Sequence, residues 1–129
     1  MIPYLWIAAG SALGGAARFW CQGLAARMIG DSFPWGTLIV NIVGSSFIGL
    51  FATLTGPAGR LPAGASIRTF VMVGICGGYT TFSSFSLETL NLARDGHWNR
   101  AVANVLGSVA LCLLGVWLGQ AAGNLINQR

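Results

Sequence analysis

The sequence predicts an all-α membrane protein with four transmembrane helices, the third of which is broken. Three observations support this fold class. Hydrophobic residues make up 54% of the 129-residue chain and charged residues only 8%, whereas charged residues make up about 25% of an ordinary soluble domain. Apolar stretches long enough to cross a hydrocarbon core of about 30 Å as a helix recur along the chain. We therefore expect a multi-pass protein in a lipid bilayer.

Four helices, separated by short turns, account for nearly the whole chain. We predict one transmembrane domain over residues 1–129, with helices at about 3–28, 35–54, 67–94 and 99–126 and a break at 77–80. Gly, Pro and Asp in the connecting segments mark the turns. The sequence shows neither a nucleophile–base pair nor a cluster of ligating side chains, so we do not expect an enzyme.

The charges predict how the chain inserts. Seven Arg residues against Asp31, Glu88 and Asp95 give a net charge of +4, and they are scattered, which argues against nucleic-acid binding. Four crossings would put three arginines at one surface and three at the other: Arg60, Arg68 and Arg129 against Arg27, Arg94 and Arg100. Orientation normally follows a Lys/Arg excess on the cytoplasmic side. The balance therefore predicts insertion in both orientations and an antiparallel, dual-topology homodimer, which would supply the inverted pair of many transporters.

Glycines at one-turn spacing predict close helix contacts. Gly10 and Gly14 lie one turn apart, as do Gly115, Gly119 and Gly123. Small residues let helix backbones approach closely in lipid, where the hydrophobic effect contributes little to packing. The spacing does not distinguish a contact inside one bundle from a contact between two subunits.

The most unusual segment interrupts the third helix. Residues 77–86 contain two Gly and six hydroxyl-bearing residues, and non-helical backbone in the membrane must face protein or a water-filled cavity. The half-helix that we expect to begin near Thr81 would point its free N–H groups inward, which favours an anion. A harmless glycine kink is the alternative interpretation.

Polar residues one turn apart form stripes on three helices. The stripes are Thr37, Asn41 and Ser45; Thr81, Ser84 and Glu88; and Asn104, Ser108 and Cys112. Neutral hydroxyl and amide groups can replace part of an ion's hydration shell and still release the ion. Hydroxyls that bond back to their own helix are the alternative for any single stripe. The convergence of three stripes predicts a polar track.

Four further side chains are candidates for the same track or its surroundings. Phe82 and Phe85 lie beside the hydroxyls, and the positive edge of an aromatic ring can contact an anion, although packing in the core is the default role. Arg18 and Glu88 are ionisable residues within predicted membrane helices, where such groups face the bundle interior. Arg18 would either make a vestibule positive or cap helix carbonyls; the role of Glu88 stays open.

These motifs resemble one known family along essentially the full chain, the small bacterial fluoride channels of the Fluc or CrcB family. The matching motifs are Gly14-x-x-x-Arg18, Gly36-Thr37-Leu38-x-Val40-Asn41, Gly77-Gly78-x-Thr80-Thr81-Phe82-Ser83-Ser84-Phe85-Ser86-x-Glu88 and Gly107-Ser108. The third motif is long and specific. Asn104 and Cys112 depart from the family pattern, which commonly has an aromatic residue or His at the first position and Ser or Thr at the second.

The resemblance implies a dual-topology homodimer with two pores that passively exports fluoride across the cell inner (plasma) membrane. Phe82 and Phe85 would form a box of ring edges around fluoride, and Asn41 would donate to the ion. The polar track would continue through Thr37, Thr81, Ser84 and Ser108, with Glu88 nearby. The backbone carbonyls of Gly77 and Thr80 would hold a structural sodium ion at the dimer centre, since oxygen ligands suit a hard cation.

Two other functions fit parts of the sequence. A small multidrug exporter shares the four-helix, dual-topology plan and resembles this chain in size, but such exporters use a carboxylate in the first helix, where this chain has Arg18. A non-conducting membrane assembly subunit would explain the glycine spacing but would leave the polar stripes and the broken helix without a purpose.

Overall fold

The computed structural model describes residues 1–128, and within them it contains helices joined by short turns. We number them α1 (Ile2–Ile29), α2 (Trp35–Thr55), α3 (residues 65–79), α4 (Phe82–Arg94) and α5 (Trp98–Asn127). Gly30, with a φ of 93°, follows α1, and Gly96, with a φ of 81°, lies in the turn before α5. Both adopt the left-handed conformation that glycine tolerates best. α3 and α4 together occupy the place of the predicted third helix.

α3 is not a uniform α-helix. It begins as an α-helix at Ala65–Arg68, continues as a π-helix over Thr69–Cys76 and returns to α-helix at Gly77–Tyr79. A π-helix bonds each amide to the carbonyl five residues earlier and is rare in such lengths, and shorter π segments are frequent at functional sites. The π-helical segment is separated from the interruption between α3 and α4 only by the short α-helical stretch Gly77–Tyr79.

Three helical segments are long and apolar enough to cross a membrane. They are Trp35–Thr55, the combined α3–α4 segment Ala65–Arg94, and Trp98–Asn127. α1 has sufficient length, with 28 residues, but Gly, Ser and Arg dilute its apolar character. The structure therefore supports a multi-pass membrane protein with three strongly apolar spans, while α1 is the most polar of the long helices.

A first glycine seam joins α1 to α3. A Cβ atom added at Gly10 would lie 2.8 Å from the Cα atom of Gly74, and one added at Gly14 would lie 2.8 Å from the backbone nitrogen of Tyr79. From the α3 side, a Cβ atom at Gly78 would lie 2.6 Å from the carbonyl oxygen of Ser11. The two backbones are thus in direct contact, as small residues permit in membranes.

A second glycine seam joins α2 to α5. A Cβ atom at Gly119 would collide with the carbonyl oxygen of Ser46, and one at Gly123 would lie 2.8 Å from Cβ of Thr53. Like the first seam, this contact lies inside a single chain. The question left open by the sequence is therefore answered for both sets of glycines: they pack helices within one bundle.

The predicted position of the helix break is wrong by three residues. We expected it at 77–80, but Gly77–Tyr79 are helical, and the extended residues are Thr80 and Thr81. The physical reason is that Gly78 makes the close contact with α1, which is compatible with a helix, while the side chains of Asn41 and Thr81 replace the helical hydrogen bonds after Tyr79. The two glycines precede the break and do not form it.

Candidate functional site

The side chain of Asn41 on α2 holds the interruption open. Its Nδ2 donates to the carbonyl oxygen of Thr81 at 3.0 Å, and its Oδ1 accepts from the backbone nitrogen of Thr81 at 2.7 Å. One amide side chain thus replaces two backbone partners that a continuous helix would supply. Since an amide nitrogen carries two hydrogens, one N–H of Asn41 is not used in this clamp.

Thr81 also caps the N-terminus of α4. Its Oγ1 accepts from the backbone nitrogen of Ser84 at 3.2 Å and lies 3.1 Å from the hydroxyl of Ser84. A Thr side chain in this position satisfies one of the free amides at a helix start. The sequence prediction of a half-helix near Thr81 agrees with this geometry, with Thr81 as the cap and Phe82 as the first helical residue.

Two backbone carbonyls at the break lose their usual partners. In a continuous helix the carbonyl of Gly77 would accept from the amide of Thr81, and that of Thr80 from the amide of Ser84. Those two amides instead donate to Asn41 Oδ1 and to Thr81 Oγ1. Gly77 and Thr80 line the same cavity. A pair of carbonyl oxygens released in this way is the chemistry that a hard cation such as sodium prefers, so these residues fit the predicted ion.

A cavity of about 470 Å³ opens beside the break. We call it the inner cavity. It is bounded by side chains and backbone from α2, α3, α4 and α5, which include Asn41, Ser45, Met72, Cys76, Gly77, Thr80, Thr81, Phe82, Phe85, Ser108 and Cys112. None of these residues carries a formal charge. The cavity combines hydroxyl and amide groups with aromatic rings, and the residues of the three predicted stripes that line it are Asn41, Ser45, Thr81, Ser108 and Cys112.

The two rings of the predicted aromatic box differ in exposure. The centroids of Phe82 and Phe85 lie 5.2 Å apart, with the ring planes inclined at 48°. Phe85 is buried at 9% exposure, whereas Phe82 is 78% exposed at the edge of the inner cavity. Burial of Phe85 is what its default packing role requires. A phenylalanine as exposed as Phe82 contributes to a surface that faces lipid or another chain.

A second cavity, of about 500 Å³, lies at the end of the bundle that contains the α1–α2 turn. We call it the mouth cavity. Its polar lining consists of Gln22, Asp31, Thr37, Ser84, Glu88, Asn91 and Asp95. In contrast to the inner cavity, it contains carboxylates. Ser84 belongs to this lining and is bonded to Thr81 of the inner cavity, so the two cavities are adjacent along α4.

A relay of side chains joins three helices in the mouth cavity. Gln22 Nε2 on α1 donates to Thr37 Oγ1 at 3.0 Å, and Thr37 Oγ1 donates to Glu88 Oε1 at 2.9 Å. The other carboxylate oxygen of Glu88 is buried and has no partner within residues 1–128. A buried acceptor without a partner is costly, so the free oxygen marks a place where a donor would be stabilised.

The α5 stripe divides between two roles. Ser108 and Cys112 line the inner cavity, while Asn104 is buried at 1% exposure and donates from Nδ2 to Thr89 Oγ1 at 2.8 Å. Ser108 donates to Asn104 Oδ1 at 3.3 Å. Asn104 thus connects α4 to α5 behind the cavity. The structure therefore gives a packing role to a residue that departs from the family pattern.

Arg18 is half-buried on α1, and the capping of helix carbonyls belongs to other arginines. Arg68 donates to Ala52 O at 3.4 Å, at the end of α2, and to Thr55 Oγ1 at 2.6 Å. Arg60 donates to Ile126 O at 3.3 Å, at the end of α5. Cations are favourable near helix C-termini, and these two serve that purpose.

Two polar residues of the site were missed in the sequence. Gln22 supports Thr37, and Thr89 anchors Asn104 while its own hydroxyl donates to Phe85 O at 2.6 Å. Each stands one turn from a residue of a predicted group, Gln22 after Arg18 and Thr89 after Phe85. The same one-turn spacing of polar residues, followed on α1 and along α4, predicts both.

The site and fold define a class of protein: a helical membrane protein with a neutral polar cavity at a helix break. Comparison with known sequences identifies the family. Residues 5–120 match the family described as CrcB-like protein, Camphor Resistance (CrcB). The chain belongs to the CrcB family, and the resemblance seen in its motifs is confirmed.

Named relatives match over nearly the whole chain. A protein of Opitutus terrae is 62% identical over 122 residues, which cover 95% of this chain and 92% of the relative. Proteins of Rhodospirillum rubrum and Methylocella silvestris are 60% and 58% identical over 127 residues, covering 98% of this chain and 98% and 97% of the relatives. Each of the three is named fluoride-specific ion channel FluC.

Proposed function

We propose that the chain forms a fluoride-selective channel that exports fluoride passively across the cell inner membrane. The carrying observation is the inner cavity, where neutral donors and two phenylalanine rings surround a helix break. Membership of the CrcB family, whose relatives cited above are named fluoride channels, supports the ion. Neutral donors suit conduction because they hold a small anion without trapping it.

The pathway that we propose runs along α4. Fluoride would enter the mouth cavity beside Ser84 and Thr37 and pass Glu88, whose side chain accepts from Thr37. It would then meet the hydroxyls of Thr81 and Ser108 and the free N–H of Asn41. Phe82 and Phe85 would present ring edges, which carry the positive part of the ring quadrupole.

We propose that two chains pair as an antiparallel homodimer with one pore on each side. The exposure of Phe82 and Gly77 beside the open inner cavity supports a partner surface there, and the equal numbers of arginines at the two predicted membrane surfaces support dual topology. In the dimer, the carbonyls of Gly77 and Thr80 from both chains would bind a structural sodium ion, which supplies positive charge at the centre. Arg18 would add a positive potential near the pathway.

The topology has its own experiment. Reporter enzymes fused to the C-terminus of the full chain, one active only in the cytoplasm and one only in the periplasm, should both give activity in cells. A single clear orientation would contradict the antiparallel dimer.

A multidrug exporter and a non-conducting assembly subunit are the alternatives. Among the polar residues of α1, Gln22 bonds to Thr37 and Arg18 is half-buried; neither can exchange a proton as a carboxylate does. An assembly subunit needs the two glycine seams but has no use for the inner cavity. Neither alternative is favoured by a specific contact.

Ion efflux from liposomes tests the proposed function. The purified protein is reconstituted into vesicles loaded with potassium fluoride or potassium chloride, potassium permeability is supplied by valinomycin, and the released anion is followed with an ion electrode. We expect rapid fluoride release and chloride release no faster than from empty vesicles. No fluoride release, or equal release of both anions, would overturn the proposal.

A further inference from the structure

We propose that Asn41 and the hydroxyl of Thr81 are positioning residues for the central cation site. Each takes up a backbone amide that would otherwise occupy one of the two carbonyls that face the cation. The inference rests on the sodium site of the proposed function. It adds a role for two side chains that the family resemblance assigned to the fluoride path, and it links the two ions through shared hydrogen bonds.

The argument for Asn41 begins with the amide of Thr81. A buried backbone N–H must find an acceptor, and the default acceptor is the carbonyl four residues earlier, that of Gly77. Asn41 Oδ1 accepts this N–H at 2.7 Å, while Asn41 Nδ2 donates to Thr81 O at 3.0 Å. A donor and an acceptor on the same amide group therefore hold the Thr81 peptide units away from the helical geometry.

The hydroxyl of Thr81 plays the same part for a second amide, that of Ser84. The amide of Ser84 would by default bond to the carbonyl of Thr80, but it donates to Thr81 Oγ1 at 3.2 Å. Thr81 is buried at 6% exposure and extended, with φ −153° and ψ 116°. The preceding amide, that of Thr80, keeps its helical bond to Cys76 O at 3.0 Å. The helical hydrogen bonds are thus intact up to the amide of Thr80, and two of the amides beyond it have side-chain acceptors, Asn41 Oδ1 for Thr81 and Thr81 Oγ1 for Ser84.

The two diverted amides correspond to the two carbonyls of the cation site, Gly77 and Thr80. A carbonyl engaged in a helix points along the axis toward its amide, so a separate ion would have to share the oxygen with that amide. Removing either side-chain acceptor makes the helical bond the best remaining choice for the amide, so the cation and the repaired helix compete for the same oxygen. Because Asn41 and Thr81 accept these two amides, the carbonyl oxygens of Gly77 and Thr80 stay free for the cation.

Sodium-dependent thermal stability tests the inference without measuring transport. The full-length dimer in detergent is melted at increasing sodium concentration, with N-methyl-D-glucamine balancing ionic strength. We expect the wild-type melting temperature to rise with sodium. In Asn41→Leu and in Thr81→Val, the sodium concentration for half of this rise should increase at least about tenfold, equivalent to about 1.4 kcal/mol. Thr81→Ser keeps the hydroxyl and should keep the wild-type midpoint.

Thr53→Val is the matched control, because it deletes a hydroxyl of α2 that bonds only to its own helix, at Gly49 O. Its midpoint should equal that of the wild type. If Asn41→Leu does not fold, the test rests on comparing the sodium midpoints of Thr81→Val and Thr81→Ser. Wild-type sodium dependence in folded Asn41→Leu or Thr81→Val overturns the inference, as does a wild-type protein indifferent to sodium. Fluoride efflux from the same wild-type preparation shows separately whether the proposed function stands.

Discussion

Along the two glycine seams the helix backbones are in direct contact. Around Thr80 and Thr81, in contrast, the helix is interrupted, and side chains replace helical hydrogen bonds of the backbone. At Gly14 an added Cβ atom would lie 2.8 Å from the backbone nitrogen of Tyr79. Only two residues later the backbone is extended, and Asn41 is its partner. The seams depend on the absence of side chains, and the break depends on their presence.

This difference separates stability from function. Without hydrophobic driving force between helices in lipid, close packing along the seams supplies much of the stability of the bundle. Because the seams hold the helices in place, two extended residues, Thr80 and Thr81, can separate α3 from α4 and leave polar groups around the inner cavity. Substitutions in the seams should therefore change stability and transport together, while substitutions at the break should change transport more than stability.

The largest expected effect is that of Gly119→Ala in the second seam. The new methyl group would collide with Ser46 O and lie 2.9 Å from the backbone nitrogen of Leu50, and overpacking of this kind costs about 1–3 kcal/mol or more. We expect a clearly lower melting temperature in detergent and a loss of folded protein. Gly107→Ala is the control, since its methyl group would meet nothing within 4 Å; an equal loss in both variants would contradict the role of the seam.

Asn41→Leu should have the next largest effect, and it should fall mainly on transport. The variant keeps the branched shape of the side chain but leaves the Thr81 amide and carbonyl without their hydrogen bonds to Asn41, at a cost of about 1–3 kcal/mol. If this cost is borne by the conducting arrangement, fluoride efflux falls about 10- to 100-fold. Efflux within twofold of the wild type would show that the clamp does not maintain the pathway.

Thr37→Val should have a smaller effect because it lies in the mouth cavity, away from the break. It deletes the hydroxyl between Gln22 Nε2 and Glu88 Oε1 and should lower stability by about 1 kcal/mol. We expect a moderate fall in efflux, measured beside the melting temperature. Thr37→Ser retains the hydroxyl and should behave as the wild type; an equal fall in Thr37→Ser would show that the hydroxyl relay alone does not account for the effect.

The smallest effect is expected from the exposed carboxylates of the mouth cavity. Asp31 and Asp95 line it, and their negative charges oppose the approach of an anion. The double variant Asp31→Asn, Asp95→Asn should raise fluoride efflux about twofold at low ionic strength, equivalent to about 0.4 kcal/mol. The gain should disappear near 1 M salt, where the screening length is about 3 Å. A fall in efflux at low salt would contradict a fluoride path through the mouth cavity.

Composition and polar patterning predicted the helical membrane fold and most of the polar residues that line the two cavities. Thr37, Asn41, Thr81 and Ser108 could be named because polar side chains at one-turn spacing in an apolar helix must share a face. The position of the break could not be predicted so well. Two glycines in a row indicate a weak point, but the actual interruption depends on Asn41, which lies 40 residues away in sequence.

The same limit explains the residues that were missed or left undecided. Gln22 joins the site only because α1 packs beside α2, which no local pattern reveals. The glycine spacing could predict close contact but not the partner, since Gly119 meets Ser46 through the tertiary fold. Sequence identified the chemistry of the site, and the fold determined which atoms complete it.

The most direct test of the account is fluoride efflux after removal of each aromatic ring. Phe82→Ile and Phe85→Ile keep apolar bulk but remove the ring quadrupole. Phe19→Ile on α1 is the matched control, because Phe19 is 82% exposed, close to the 78% of Phe82, but lies outside both cavities. We predict that efflux falls about tenfold or more in both cavity variants, equivalent to about 1.4 kcal/mol, and is unchanged in Phe19→Ile. Unchanged efflux in both Phe82→Ile and Phe85→Ile would contradict the central claim that ring edges at the helix break carry fluoride.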